Sequence, residues 1–177
     1  MIKEKQALME FFVEKLTKDL EIKIPFSESI DEVLVKLEGR LEYTRPNGWI
    51  GSKIYFPTKT WDKKFVIMLD EKKSMQEQYY EIAYQLGNLL FNTNCLRKRE
   101  EDKIHFHDGI SSEMQRSTAM VFAENLLMPR EEFTKEIINN TDNEIVNMKA
   151  VAQKFGVTED RARARAKKLQ LIKVAIF

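Results

Sequence analysis

The chain has 177 residues, a net charge of +1, and 43% hydrophobic against 32% charged residues. This balance is typical of a folded globular protein and excludes disordered, collagen-like and membrane-spanning classes. Its single cysteine excludes an internal disulfide and a cysteine-rich zinc ribbon. The sequence has no long apolar run and no signal-peptide core, so we expect a cytoplasmic protein that has no membrane partner.

The N-terminal part of the chain is predicted to form two helices followed by a small sheet. Apolar residues recur with a helical period over residues 1–22 and 29–37, and Gly39 is expected to end the second helix. Between Arg40 and Asp70, the apolar runs RLEYT, GWIGSKIYF and KFVIMLD are separated by turn sequences. These runs predict three strands of an antiparallel sheet that covers one face of the helices.

Two longer helices and a basic segment follow. Helical periodicity is clear over residues 74–91 and 112–128, and Pro129 is expected to end the second of these helices. Residues 148–177 then carry eight Lys or Arg and two acidic residues, a net charge of +6. Gly156 and Thr158 mark a turn and a helix start, which predicts a helix-turn-helix-like module suited to an acidic partner.

The helix over residues 74–91 carries the sequence YQLGN at 84–88, where a zinc hydrolase of the HExxH type carries His, Glu and His. Two His four residues apart can hold one zinc ion, and the Glu can polarise a zinc-bound water. Tyr84 and Asn88 are poor substitutes for imidazole, and neutral Gln85 cannot act as a general base. Taken alone, this segment is interpreted as a core helix.

Three separated stretches together resemble the ImmA/IrrE family of zinc metallopeptidases. The first, FVIMLDEKKSMQEQYYEIAYQLGNLLF, is similar to the family's strand, loop and metal-site helix. The second, STAMVFAENLLMPREEF, is similar to its second signature, and the third, QKFGVTEDRARARAKKLQLI, to its C-terminal module. The resemblance covers roughly residues 30–172 and implies an α+β fold with zincin-like helices, a small antiparallel sheet and a helix-turn-helix-like end.

The resemblance implies that the positions of the metal site have all changed. Tyr84 stands in the place of the first zinc-binding His, Gln85 in that of the catalytic Glu, Asn88 in that of the second His, and Thr118 in that of the acidic third ligand. Structural positions of the same motifs match the family: Ala83, Leu86, Gly87, Phe122, Ala123, Leu126, Leu127, Met128 and Pro129. We therefore expect no catalytic residue and no cofactor, in a fold kept for another purpose.

The implied organisation is an N-terminal helix over 1–29, a metallopeptidase-type domain over 30–140 and a basic module over 141–177. The family's peptidases act on repressor proteins of prophages, mobile elements and stress responses. We accordingly expect a pseudopeptidase that regulates transcription by binding a repressor-type partner. If Tyr84 fills the former metal cavity, its hydroxyl needs a hydrogen-bond partner there, with Asn88 and Thr118 as candidates.

A divergent but active metallopeptidase is the enzyme alternative. His105 and His107 are the two histidines of the chain, and on a strand they would lie on one side, where Glu113 or Asp108 could complete a zinc site. The simpler interpretation, which we adopt, is a pair of loop histidines on a polar surface. Cys95 is interpreted as a small buried or semi-buried thiol, in preference to a nucleophile paired with one of these histidines.

The second alternative is a DNA-binding regulator acting through the C-terminal module. Arg161, Arg165 and Lys168 share one helical stripe and could contact phosphates, while Ala162, Ala166 and Leu169 form the opposite, buried stripe. Asn and Gln are absent from this helix, so contact with the DNA backbone is favoured over base readout. The competing interpretation is a basic face that packs on the core.

Overall fold

A computed structural model describes residues 2–44, 52–56, 64–91, 105–107 and 113–172 of the chain. Within these ranges there are seven α-helices: α1 (Ile2–Asp19), α2 (Ile30–Lys36), α3 (Met75–Phe91), α4 (Glu113–Leu127), α5 (Arg130–Asn139), α6 (Met148–Phe155) and α7 (Glu159–Lys168). The described strands are β1 (Gly39–Thr44), β2 (Lys53–Phe56), β3 (Phe65–Asp70), β4 (His105–His107), β5 (Thr141–Asp142) and β6 (Ile145–Val146). This content confirms the predicted α+β class.

Strands β1 to β4 form one sheet in the order β1-β3-β2-β4. β2 is antiparallel to β3 and to β4, whereas β1 and β3 are parallel, with Gly39 opposite Phe65. The prediction of a wholly antiparallel sheet is therefore wrong for one pair. In sequence, β2 comes between β1 and β3, but in the sheet β3 lies between β1 and β2. Because β2 runs opposite to both of them, β1 and β3 run in the same direction.

The end of α2 shows why Gly39 is a glycine. Glu38, rather than Gly39, adopts the left-handed conformation after this helix, with φ of 58°. Gly39 is the first residue of β1, and a Cβ atom built on it would overlap the ring of Phe65. The glycine is thus required for close packing of β1 against β3, and the prediction that it ends the helix is wrong by one residue.

A single apolar core connects the N-terminal segments to the C-terminal helices. It includes Phe26, the inward side chains of β3, the facing sides of α3 and α4, and Val151, Phe155, Ala162 and Ala166 of the last two helices. The rings of Phe133 in α5 and Phe155 in α6 lie 5.4 Å apart. The expected boundary at residue 141 falls at the β5–β6 hairpin, and the core continues on both sides of it.

The predicted stop at Pro129 is confirmed, because α4 ends at Leu127 and Pro129 caps α5. The predicted turn before the last helix is also observed: Gly156 is left-handed, with φ of 63°, and the Thr158 side chain caps α7 by accepting from Arg161 N. α5 and the β5–β6 hairpin are elements that the sequence analysis did not predict.

Candidate functional site

The start of α3 is fixed by a reciprocal cap between Ser74 and Glu77. The Ser74 hydroxyl accepts a hydrogen bond from Glu77 N at 3.3 Å, and Glu77 Oε2 accepts from Ser74 N at 3.1 Å and from the hydroxyl at 2.8 Å. The hydrogen bonds from Ser74 lower the pKa of the Glu77 carboxyl below its ordinary value. The cap sets where the helix begins, and hence on which sides of it residues 84–88 lie.

On its α4 side, α3 packs through small residues. A Cβ atom built on Gly87 would lie 3.0 Å from both Cα and O of Ala119, and at the same distance from the Phe122 ring. The two helices thus approach closely at Gly87 and Ala119, and Thr118 lies beside this point on α4. Gly87 is retained in the YQLGN sequence because this approach leaves little room for a side chain.

The polar side chains of α3 form a hydrogen-bonded chain that ends inside the protein. Gln85 is only 3% exposed, and its Nε2 donates to both the carbonyl and the hydroxyl oxygen of Ser52, just before β2, at 3.0 Å each. Asn88 is 5% exposed, and its Nδ2 donates to Gln85 Oε1 at 3.2 Å. Within the described residues, Asn88 Oδ1 is buried without a hydrogen-bond partner.

Tyr84 lies beside this chain, partly buried against the core. Its ring stacks on that of Tyr80, with centroids 6.4 Å apart and planes inclined by 12°. Among the described residues its hydroxyl makes no hydrogen bond, and the Asn88 amide nitrogen is directed to Gln85 instead. The expectation that Asn88 or Thr118 would accept or donate to this hydroxyl is therefore wrong.

The side chains at the positions that the resemblance assigns to a metal site do not fit a zinc ion. Gln85 and Asn88 use their amide groups in bonds to Ser52 and to each other, which leaves one neutral amide oxygen, on Asn88. Zinc sites in proteins use imidazole, thiolate and carboxylate groups, and this donor set contains none. A neutral glutamine held in this way also has no proton-accepting role toward a water molecule.

Thr118 lines a cleft of about 1150 Å³ between α1 and α4. The residues that line this cleft are mainly apolar and include Leu8, Phe11, Phe12 and Phe91. The rings of Phe12 and Phe91 meet edge to face with centroids 5.3 Å apart. Thr118 thus borders both the cleft and the α3–α4 contact.

The residues of the alternative zinc site are described only in part. His105 and His107 occupy alternate positions of β4, opposite Phe56 and Ile54 of β2, so this segment is a strand rather than the predicted loop. Their side chains and that of Glu113, the first residue of α4, lie outside the described part, as do Asp108 and Cys95. Among the side chains that are described, His, Cys, Asp and Glu form no group of three that could hold a metal ion.

Arg165, predicted to lie on an exposed basic stripe, is 1% exposed. Its Nε donates to the Met128 carbonyl at 3.2 Å and its Nη2 to Asn125 Oδ1 at 2.7 Å, both at the end of α4. Burial lowers the pKa of its guanidinium below the ordinary value. The prediction of an exposed position is wrong, because the end of α4 offers this cation two oxygen acceptors on the core side of α7.

The other two members of the stripe, Arg161 and Lys168, also contact α3 and α4. The guanidinium carbon of Arg161 lies 3.1 Å from the centre of the Tyr80 ring, and Lys168 Nζ lies 2.7 Å from Glu124 Oε2. Ala162 and Ala166 are buried, as predicted. The three basic side chains of this stripe therefore dock α7 against α3 and α4.

Sequence reasoning missed three partners in this arrangement, namely Ser52, Tyr80 and Asn125. Asn125 carried a usable signal, since it is a polar residue set between Phe122 and Leu126 on an apolar stretch, and such residues need a buried partner. Tyr80 precedes Tyr84 by one helical turn, which places both on one side of α3. Ser52 had no signal, because its role depends on how β2 approaches α3.

The chain is similar in sequence to a known protein family. No helix in the described ranges is long and apolar enough to cross a membrane, and no curated protein matches the chain. The sequence model of the IrrE N-terminal-like domain, Peptidase_M78, matches residues 40–167, which is most of the chain and includes all of α7 except its last residue, Lys168. The chain belongs to this ImmA/IrrE family of metallopeptidase-like proteins.

Proposed function

We propose that this chain is a pseudopeptidase of the ImmA/IrrE type that acts by binding a repressor-type protein, without zinc catalysis. The observation that carries the proposal is the hydrogen-bonded chain from Ser52 through Gln85 to Asn88. Gln85, in the place of the catalytic base, holds the start of β2 against α3 through Ser52. Asn88, in the place of a zinc ligand, donates a hydrogen bond to Gln85.

Retention of the packing residues supports a binding role. Gly87 and Ala119 keep the close approach of α3 and α4, while every position that would carry the hydrolytic chemistry has a side chain without that chemistry. A fold kept in this way still presents the surfaces through which a peptidase of this family would hold its substrate. Binding without cleavage would sequester a repressor or protect it from an active relative.

The enzyme alternative uses His105 and His107 as zinc ligands. The observation in its favour is that both are alternate residues of β4, which pairs with β2 at the edge of the sheet. The DNA-binding alternative is weakened, because Arg165 is buried and Arg161 and Lys168 have partners in the core domain. If it is correct, affinity for DNA falls steeply with added salt.

The test is the zinc content of protein purified without a metal-affinity tag, incubated with zinc, dialysed and measured by elemental mass spectrometry. We expect the natural chain to retain no zinc. The matched control is the variant Tyr84→His, Gln85→Glu, Asn88→His and Thr118→Glu, which recreates the ligand set and is expected to retain about one zinc per chain if the backbone geometry is preserved.

Retention of about one zinc by the natural chain, lost in His105→Ala, would overturn the pseudopeptidase proposal in favour of the enzyme alternative. The binding role is tested separately, by incubation with candidate repressors. A repressor that binds, stays intact and loses affinity for the Tyr84→Ala variant supports the proposal, and a repressor that is cleaved contradicts it.

A further inference from the structure

Three side chains from two distant parts of the chain are linked by two successive contacts. The guanidinium of Arg161 in α7 lies over one face of Tyr80, 3.1 Å from the ring centre, and Tyr80 stacks on Tyr84, with 6.4 Å between centroids. Tyr80 is 8% exposed, so the middle one of the three is shielded from water. Cation–π attraction is strongest where the cation and ring are desolvated in this way.

Arg161 is held in position by the helix that carries it. The backbone N–H of Arg161 donates to the Thr158 cap, and the neighbouring Arg165 is bonded to the end of α4. The turn that precedes α7 lies close to α3, since a Cβ atom built on Gly156 would be 3.5 Å from the Tyr79 ring. A change in the position of α7 would therefore move the guanidinium relative to Tyr80.

The position of Arg161 also affects the pKa values of nearby groups on α3. Burial raises the pKa of its phenol, the nearby Arg161 lowers it, and Glu124 and Tyr84 oppose the effect of Arg161. Arg161 also contributes to the lowered pKa of Glu77, one turn earlier on α3. The cation of α7 thus acts electrostatically on two successive turns of the helix that carries Tyr84.

We propose that the C-terminal helix pair, α6 and α7, positions Tyr84 through Arg161 and Tyr80. The side of α3 that carries Tyr84 and the C-terminal pair are then energetically coupled. Arg161 is a positioning residue in this arrangement, and Tyr80 transmits its effect by ring stacking. A protein bound at either place then changes the other, because such coupling is reciprocal. This inference goes beyond the proposed function and holds whatever partner the chain binds.

The experiment is NMR of full-length protein with ¹³C-labelled tyrosine rings, of which the chain has five. We expect Arg161→Ala to shift the ring signals of both Tyr80 and Tyr84, and to raise the pKa of Tyr80 further in an alkaline titration. Arg161→Lys keeps a cation and is expected to restore part of both effects. The matched control is Arg163→Ala, on the exposed side of α7 and paired with Glu159, which is expected to leave both rings unchanged.

A Tyr84 signal that is unchanged in Arg161→Ala, or one that shifts equally in Arg163→Ala, would overturn the proposal. If Arg161→Ala fails to fold, the reciprocal measurement uses Tyr84→Leu, with the ¹⁵Nε signal of Arg161 as the readout. A shift of this signal in Tyr84→Leu supports the coupling, and an unchanged signal contradicts it. Neither measurement involves a binding partner, so failure here is distinct from failure of the proposed function.

Discussion

Helix α4 is packed by α3 on one side and by α7 on another, and the two contacts are built differently. The α3 contact is made by small and apolar side chains, with Gly87 against Ala119 and Phe122. The α7 contact places a buried guanidinium, that of Arg165, on the oxygens of Asn125 and Met128. One contact depends on close fit, and the other depends on the hydrogen bonds that Arg165 Nε and Nη2 donate, while Arg165 Nη1 is buried without a hydrogen-bond partner among the described residues.

The difference teaches how each contact tolerates change. A close-packed contact is sensitive to added volume, whereas a buried polar contact is sensitive to removal of either partner, because the remaining group is left without a hydrogen bond. The comparison also separates Arg165 from Lys168, which is on the same stripe but pairs with Glu124 at the partly exposed rim of the α7 contact.

The largest effect is expected for Arg165→Ala. It leaves Asn125 Oδ1 and the Met128 carbonyl without their donor and opens a cavity, at a cost of about 3 kcal/mol in the free energy of unfolding. Urea denaturation measures this loss, with Arg163→Ala as the exposed control, expected within about 0.5 kcal/mol of the natural protein. Arg165→Met fills the cavity but not the hydrogen bonds, so a loss equal to that of Arg165→Ala would show that packing contributes little.

A smaller loss is expected for Gly87→Val. The branched side chain must displace the Ala119 backbone or the Phe122 ring, and overpacking of this kind costs about 2 kcal/mol. For a chain of this size the expected fall in melting temperature is roughly 4–8 °C. Scanning calorimetry measures it, and an unchanged melting temperature would mean that α3 and α4 separate more easily than the close approach indicates.

The smallest effect is expected for Lys168→Met. The ion pair with Glu124 is partly exposed to water, and pairs of this kind contribute about 0.5 kcal/mol or less. Lys167→Met, one residue away on the exposed side of α7, is the matched control. The difference between the two variants is expected to shrink as salt is added. A difference as large as that of Arg165→Ala would erase the distinction between the rim and the interior of this contact.

Much of the α3 contact was predictable from sequence, because apolar and small residues at helical spacing mark an inward side. Ala83 and Leu86 belong to this apolar stripe, the resemblance to the family adds Gly87 as a structural position, and all three are buried. The α7 contact was not predictable in the same way. Arginines at positions 161, 163 and 165 predict an exposed helix. Arg165 is buried because Asn125 and Met128, which are distant in sequence, supply its hydrogen-bond acceptors. The parallel β1–β3 pair escaped prediction for the same reason, since strand order depends on long-range pairing.

The β5–β6 hairpin has a consequence for how the chain carries mechanical load. Its tip, Asn143 and Glu144, has both residues left-handed, with φ of 46° and 65°, and Asn147 N donates to the Asn140 carbonyl at 2.8 Å, which closes its base. Asn140, directly after α5, and Asn147, directly before α6, are therefore joined across the base of the hairpin by this hydrogen bond. We therefore expect a pull on the C-terminal helices to load this hydrogen bond and the β5–β6 pairing before the hairpin residues extend.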